Sequence, residues 1–175
     1  MQYRKFGKLN WEVSVLGLGI AELSSLEEDE AVHLIHFAID KGVNFLDIGW
    51  PLALKNNEKL PAFLDKALRD GYRQKIKIAA SIPALKISTL SDFDRALENL
   101  LIWLRADSID ILTLGGLNRF TWPRLKDLGI LRSLEKALAE KKTAHPGFFF
   151  HDQYQFLREI IEAYDSWACC QFHYS

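Results

Sequence analysis

Asp47 is the residue whose type and place point most directly to chemistry. It closes the otherwise apolar run Val43-Asn44-Phe45-Leu46-Asp47. α/β folds gather their reacting groups at the C-terminal ends of strands, so a carboxylate there can serve as an acid, a base or a tuning charge. The same carboxylate can instead cap a loop or pair with a base, and residue type alone leaves both readings open. Asp110 is also an acid inside an apolar run, but it falls near the start of its run, which favours a structural role. His151, Asp152 and His173 have metal-ligand chemistry at strand exits, yet their spacing matches no metal motif and no metal site is expected. Cys169 and Cys170 are neighbours that alternate across an extended chain. That excludes a C-x-x-C redox pair and reads as small buried apolar groups. Gly17-Leu18-Gly19 follows an apolar run, but Ala21 and Glu22 stand where a dinucleotide fingerprint needs its third Gly. A tight strand exit is the better reading. His33 and His36, one turn apart, read as solvated helix surface.

The elements that must position these residues repeat. Apolar runs over Val13–Gly19, Val43–Ile48, Ile76–Ser81, Ser108–Leu114, Phe148–Phe150 and Trp167–Phe172 read as strands. Between them, helices are expected behind Ser25 with Glu28, over about Asn57–Arg69, behind Ser91 with Asp94, over about Asp127–Lys141, and around Leu157–Tyr164. Pro61 falls early in the second helix. Phe6–Asn10 reads as the turn of a small hairpin. Strand–helix units of this size make a parallel sheet, with about six strands in a single domain over residues 1–175. Periodicity alone leaves two architectures, an open doubly wound sheet or part of a (β/α)8 barrel. A complete barrel takes about 250 residues and this chain has 175, so only part of one fits.

Composition narrows the function classes. Apolar residues make up 49% and charged residues 26%, enough for a packed core. The net charge of −1 argues against a nucleic-acid-coating protein. No apolar run is long enough to span a bilayer, and Met1–Asn10 shows no apolar leader. With two adjacent cysteines and no disulfide framework, a reducing cytoplasm is expected.

Several segments, taken in order, resemble the aldo-keto reductase family, and within it the bacterial and archaeal branch whose members often carry a ferredoxin-type iron–sulfur extension. Met1–Gly19 is similar to that family's opening hairpin and first strand, and Ala38–Asp47 to its A-x-x-x-G-V-N-x-x-D motif. Asn57–Leu60 resembles its SEKL helix start. Ser108–Ile111, Gly116–Asn118, Gly147-Phe148, His151-Asp152 and Cys170-Gln171 resemble the strands that follow. The resemblance covers essentially the whole chain and implies the barrel: an incomplete TIM-type (β/α)8 barrel of α/β class, with outer helices and an N-terminal hairpin.

The family reduces carbonyls with NADPH through an Asp, Tyr, Lys and His tetrad, in which the Tyr donates a proton and the Lys and Asp tune it. By resemblance Asp47 matches the Asp, whereas Leu52, Ser81 and Gly115 stand at the Tyr, Lys and His positions. Leu and Gly donate no proton, and a serine hydroxyl does not replace an ammonium. Gln171 matches the glutamine that holds the nicotinamide amide, but Phe149 and Phe150 replace a polar pair. The family's seventh and eighth strands and its iron–sulfur cysteines have no counterpart. The resemblance therefore implies an oxidoreductase-type domain, inactive by the family mechanism, with no cofactor expected beyond the NADPH that the family suggests. Two alternatives stand beside it: an interaction module, and altered chemistry around Asp47, Ser81 and His151. A six-stranded sheet leaves edges at residues 13–19 and 167–172, through which self-association or a barrel-completing partner is expected.

Overall fold

The computed structural model describes residues 1–51 and 59–173. An antiparallel hairpin, β1 (Tyr3–Lys5) with β2 (Glu12–Ser14), precedes a six-stranded parallel sheet. The sheet strands are β3 (Leu18–Gly19), β4 (Phe45–Asp47), β5 (Lys77–Pro83), β6 (Ile109–Leu117), β7 (Thr143–Phe150) and β8 (Cys169–Phe172). Their order in the sheet is their order in the chain, β3-β4-β5-β6-β7-β8. That sequential order, with the sheet curled, is a barrel missing strands and excludes the doubly wound alternative, whose strand order reverses. The helices α1 (Glu28–Asp40), α2 (Leu60–Ala67), α3 (Leu90–Leu104), α4 (Thr121–Leu128), α5 (Ile130–Ala139) and α6 (Tyr154–Glu162) pack around it. No helix among the described residues is long and apolar enough to cross a membrane.

Alternation along the strands makes the two faces of the sheet different. Leu46, Ile78, Ala80, Ile82, Leu112, Leu114, Phe148 and Phe150 join the core shared with the helices. That core also holds Ile35, Phe63, Phe93, Leu97, Leu100, Leu134 and Ile160. Each large apolar side chain buried this way stabilises the fold by about 1.5–3 kcal/mol. The inner face carries small groups instead: Gly17, Gly19, Ala79, Ser81, Thr113, Gly115 and Cys169 line open cavities. Phe45 and Phe149 also line these cavities, so the hollow mixes small residues with aromatic rings while the aliphatics of the core face the helices.

Several expected boundaries move. Val13–Gly19 is not one strand. Val13 and Ser14 pair with Arg4 and Tyr3 in the hairpin, and only Leu18–Gly19 joins the sheet. The corner between them is fixed by Ser14, whose Oγ donates to the Leu16 carbonyl (2.6 Å), and it leaves Val15 and Leu16 exposed. The sheet edge on that side is therefore two residues long, and the expected edge at 13–19 is corrected to Leu18–Gly19. The edge expected at 167–172 shortens to Cys169–Phe172.

α1 begins at Glu28 with Glu27 at its N-cap, two residues beyond the cap position expected at Ser25. α3 is capped two residues earlier than expected, at Thr89 rather than Ser91. Thr89 Oγ1 accepts from the Asp92 N–H (3.3 Å), and Asp92 accepts from the Thr89 N–H (2.8 Å). Pro61 sits in the first turn of α2, where its missing N–H costs nothing. The start proposed for that helix at Asn57 lies outside the described residues. The helix expected over 127–141 forms as α5, from Ile130. Gly129 (φ +83°) separates it from α4, which is anchored by the fully buried Trp122 and went unforeseen.

Candidate functional site

At the C-terminal end of the sheet, the strand exits surround an open cavity of about 360 Å³. It is lined by Asp47, Gly49, Trp50, Ser81, Pro83, Leu85, Gly115, Gly116, Phe149 and Gln171. A second cavity of about 590 Å³ continues into the hollow and shares Asp47 and Gln171. The strand register brings these groups together. Asp47 aligns with Ala79, Pro83 with Gly115, Phe149 with Gln171, and the residues two apart along each strand share the inner face.

Asp47 is half-buried and doubly bonded. Its Oδ1 accepts from the Gly49 N–H (2.9 Å) and its Oδ2 from Gln171 Nε2 (2.8 Å). The second bond crosses the hollow from β4 to β8, with three strands between them in the sheet. Ser81 Oγ donates to the Thr113 carbonyl at 3.5 Å, the long limit of a hydrogen bond. Gly115 sits against it: a Cβ added there would meet Ser81 Oγ at 2.6 Å. Leu52 lies outside the described residues. Asp47, Ser81, Gly115 and Gln171 thus meet in one cavity, whose described lining contains one acid and no cation.

The other candidates lie elsewhere. Asp110 sits at the opposite, N-terminal end of the sheet. It accepts from Arg73 (2.8 Å), Lys77 (3.1 Å) and the Ile78 N–H (3.0 Å). Burial opposes its charge, but these donors together hold its carboxyl below the usual range. Asp152 is taken by Arg119, which donates through its backbone N–H (2.8 Å) and its guanidinium. The Arg119 side-chain bonds first, then the backbone ones, hold Asp152 well below the carboxylate range. His151 and His173 meet edge to face at 5.8 Å, and no metal-binding cluster occurs among the described residues. Cys169 and Cys170 are free thiols. Burial pushes them up to about 12 and about 11, with Cys170 and Asp47 adding to the rise at Cys169.

Sequence reasoning missed the walls of the cavity, Trp50, Pro83 and Leu85, which carry no chemical signal of their own. It also missed the pairing of Asp47 with Gln171, for which a separation of 124 positions in the chain leaves no local trace.

This arrangement can be compared with known structures. No family model matches the chain. The thermostable aldo-keto reductase Tm1743, solved with the inhibitor epalrestat, superposes with a TM-score of 0.80 at 22% identity, over 99% of this chain and 63% of its own. The aldo-keto reductase AKR11C1 from Bacillus halodurans, in its holo form, gives 0.79 at 24% identity, over 100% and 58%. An aldo-keto reductase from Klebsiella pneumoniae in complex with NADP and acetate gives 0.75 at 19%, over 97% and 56%. The chain has the aldo-keto reductase fold. It spans 56–63% of the length of these structures. The expected incomplete barrel with its opening hairpin is what the chain forms.

Proposed function

We propose that this chain is an oxidoreductase-type barrel without carbonyl-reducing activity by the aldo-keto reductase route. The observation that carries this reading is the bond from Gln171 Nε2 to Asp47 Oδ2. By resemblance, these are the two functional positions the chain retains, one for the tetrad and one for the nicotinamide amide. Here each occupies the other. Among the described residues no ammonium lies beside Asp47: Ser81 stands at that place, and Gln171 takes up a carboxylate oxygen. Gly115 offers no imidazole to orient a carbonyl.

A nicotinamide dinucleotide does not fit the groups present. A pyrophosphate needs N–H clusters or cations, and the described residues around the cavity supply Asp47 and the Phe149 ring instead. Structures similar to this one hold NADP or NADPH, so that cofactor is the one to test. Titration of NADPH followed by its fluorescence should show no saturable binding, and aldehyde reduction should not exceed the no-protein control. Turnover that vanishes in Asp47→Asn would overturn the reading in favour of altered chemistry around Asp47, Ser81 and His151.

A second reading is favoured by the sheet edges. β3 and β8 end the strand order, so each presents an unpaired row of backbone groups. An interaction module that assembles with itself, or with a chain supplying further strands, would use Leu18–Gly19 and Cys169–Phe172. Two free thiols suit a reducing compartment such as the cytoplasm.

A further inference from the structure

A third cavity lies on the helix side of the sheet, separate from the one that Asp47 lines, where α2 and α3 cross the N-terminal ends of β5 and β6. Its volume is about 250 Å³. Leu64, Leu68, Ile78, Leu104 and Ile109 give it an apolar lining, with Leu64, Ile78 and Ile109 fully covered by the fold. Arg69, Arg73 and Arg105 stand around it with a single acid, Asp65. Asp65 Oδ2 is shared: Arg69 Nη2 reaches it at 2.5 Å and Arg105 Nη1 at 3.7 Å. Arg73 turns to Asp110, which also takes Lys77. Cations therefore outnumber the acids that serve them, and each guanidinium keeps N–H donors to spare. Arg105 is the left-handed C-cap of α3 (φ +51°), a place that Gly fills without strain. The chain keeps a guanidinium there against that conformational cost.

We propose that this cleft binds a small amphiphilic carboxylate, with an alkyl or aryl body on the leucine and isoleucine lining and its CO2− bridging Arg105 and Arg69. The cavity is just below the usual range of small-molecule sites, about 300–1,000 Å³, which limits the ligand to a short chain or one ring. Guanidinium forks match a carboxylate in two-point geometry. The site is independent of the reading of the barrel hollow and would stand if that reading fell.

Octanoate titrated into the full chain and followed by amide NMR tests it, with octanol as the tail without the charge and acetate as the charge without the tail. Octanoate should give saturable shifts at Leu68, Leu104, Arg105 and Ala106, weaker at high salt. Octanol and acetate should not saturate in the same range. Arg105→Gly should weaken octanoate about five- to tenfold, because one charge-assisted contact is lost. Gly relieves the left-handed strain, so this variant should melt no lower than the parent and folding failure cannot explain the loss. Arg69→Gln should act in the same direction. Octanoate affinity unchanged in both variants, shifts confined to Phe45, Thr113 and Cys169 in the hollow, or octanol binding as well as octanoate would each overturn the proposal.

Discussion

Gly115→Ala tests how the vacant positions of the site are held. The added Cβ would lie 2.6 Å from Ser81 Oγ, 3.5 Å from Pro83 Cα and 3.6 Å from the Ile82 carbonyl. The last two are ordinary contacts, so the whole conflict is with one hydroxyl. Overpacking costs about 1–3 kcal/mol where neighbours cannot move. Here the obstructing atom rotates about a single bond, and the bond it gives up, to the Thr113 carbonyl, is already 3.5 Å long. The cost should thus fall at the low end, about 1 kcal/mol. With a urea slope of about 2 kcal/mol/M, the unfolding midpoint should drop by about 0.5 M. The decisive variant is Ser81→Ala, which removes the obstructing oxygen. In that background Gly115→Ala should be close to neutral, giving a coupling of about 1 kcal/mol in the double-mutant cycle. Equal costs in both backgrounds, or a cost above about 3 kcal/mol, would mean that backbone rather than Ser81 fills the space. It would also mean that no side chain, including the histidine expected by resemblance, can be placed at 115 without rebuilding β6.

Further outcomes follow from the same geometry. With Cys169 and Cys170 pushed up to about 12 and about 11, iodoacetamide at pH 8 should label the folded chain far more slowly than the urea-unfolded one, and equal rates would contradict their burial. Raised thiol pKa values also mean that their contribution to stability is complete below the unfolded value near 9.0 and fades as pH climbs toward 11–12, which alkaline denaturation would show. Asp110 has the opposite sign: its lowered pKa contributes stability above the unfolded value of 3.8 that is lost as pH falls below it. Asp110→Ala should cost about 2 kcal/mol by chemical denaturation, less than a fully buried pair because Arg73 and Lys77 are part-exposed, and should flatten the acid limb. Light scattering at rising concentration should show self-association, weakened by Phe172→Lys on the β8 edge; a monomer at all concentrations would count against the sheet edges as interfaces.

The sequence made the strands of the sheet legible because their spacing and apolar content are local properties. Ile109–Leu117 and Lys77–Pro83 overlap the expected runs to within a few residues. What it concealed was what distant partners decide. Val13 and Ser14 are as β-prone as Leu18, and only their pairing with Arg4 and Tyr3, together with the Asn44 bonds to Ser14 and Glu12, assigns them to the hairpin. Thr89 and Ser91 are equally good caps by type. Each also has an Asp three residues on, Asp92 and Asp94, and only the bonds exchanged between Thr89 and Asp92 place the box at Thr89. Gly129 falls inside the range 127–141 expected as one helix, and its left-handed conformation instead separates α4 from α5. At the site, Asp47, Ser81, Gly115 and Gln171 were all named from sequence. That Asp47 and Gln171 bind each other was not, since a contact across a curled sheet depends on its curvature.

That curvature has a physical consequence of its own. In a closed barrel, strand pairing around the ring fixes the radius. Here β3 and β8 do not pair, and the curl is held where polar groups reach across the hollow. Gln171 ties β8 to Asp47 on β4 at the C-terminal end, and at the other end Lys8 of the hairpin donates to the Asp165 carbonyl just before β8. Tyr3 and Asn44 fix the same hairpin to the chain entering β4. Both cross-ties are exposed, and bonds to a charged group contribute only about 1.5–3 kcal/mol even when shielded. The width of the hollow is therefore the softest dimension of the molecule. Its outer core, packed from Leu46 to Phe148 against the helices, need not loosen for the mouth to widen. Asp47 stands at the hinge of both questions, because the bond that in the proposed reading keeps it from chemistry also ties β8 to β4 across the hollow.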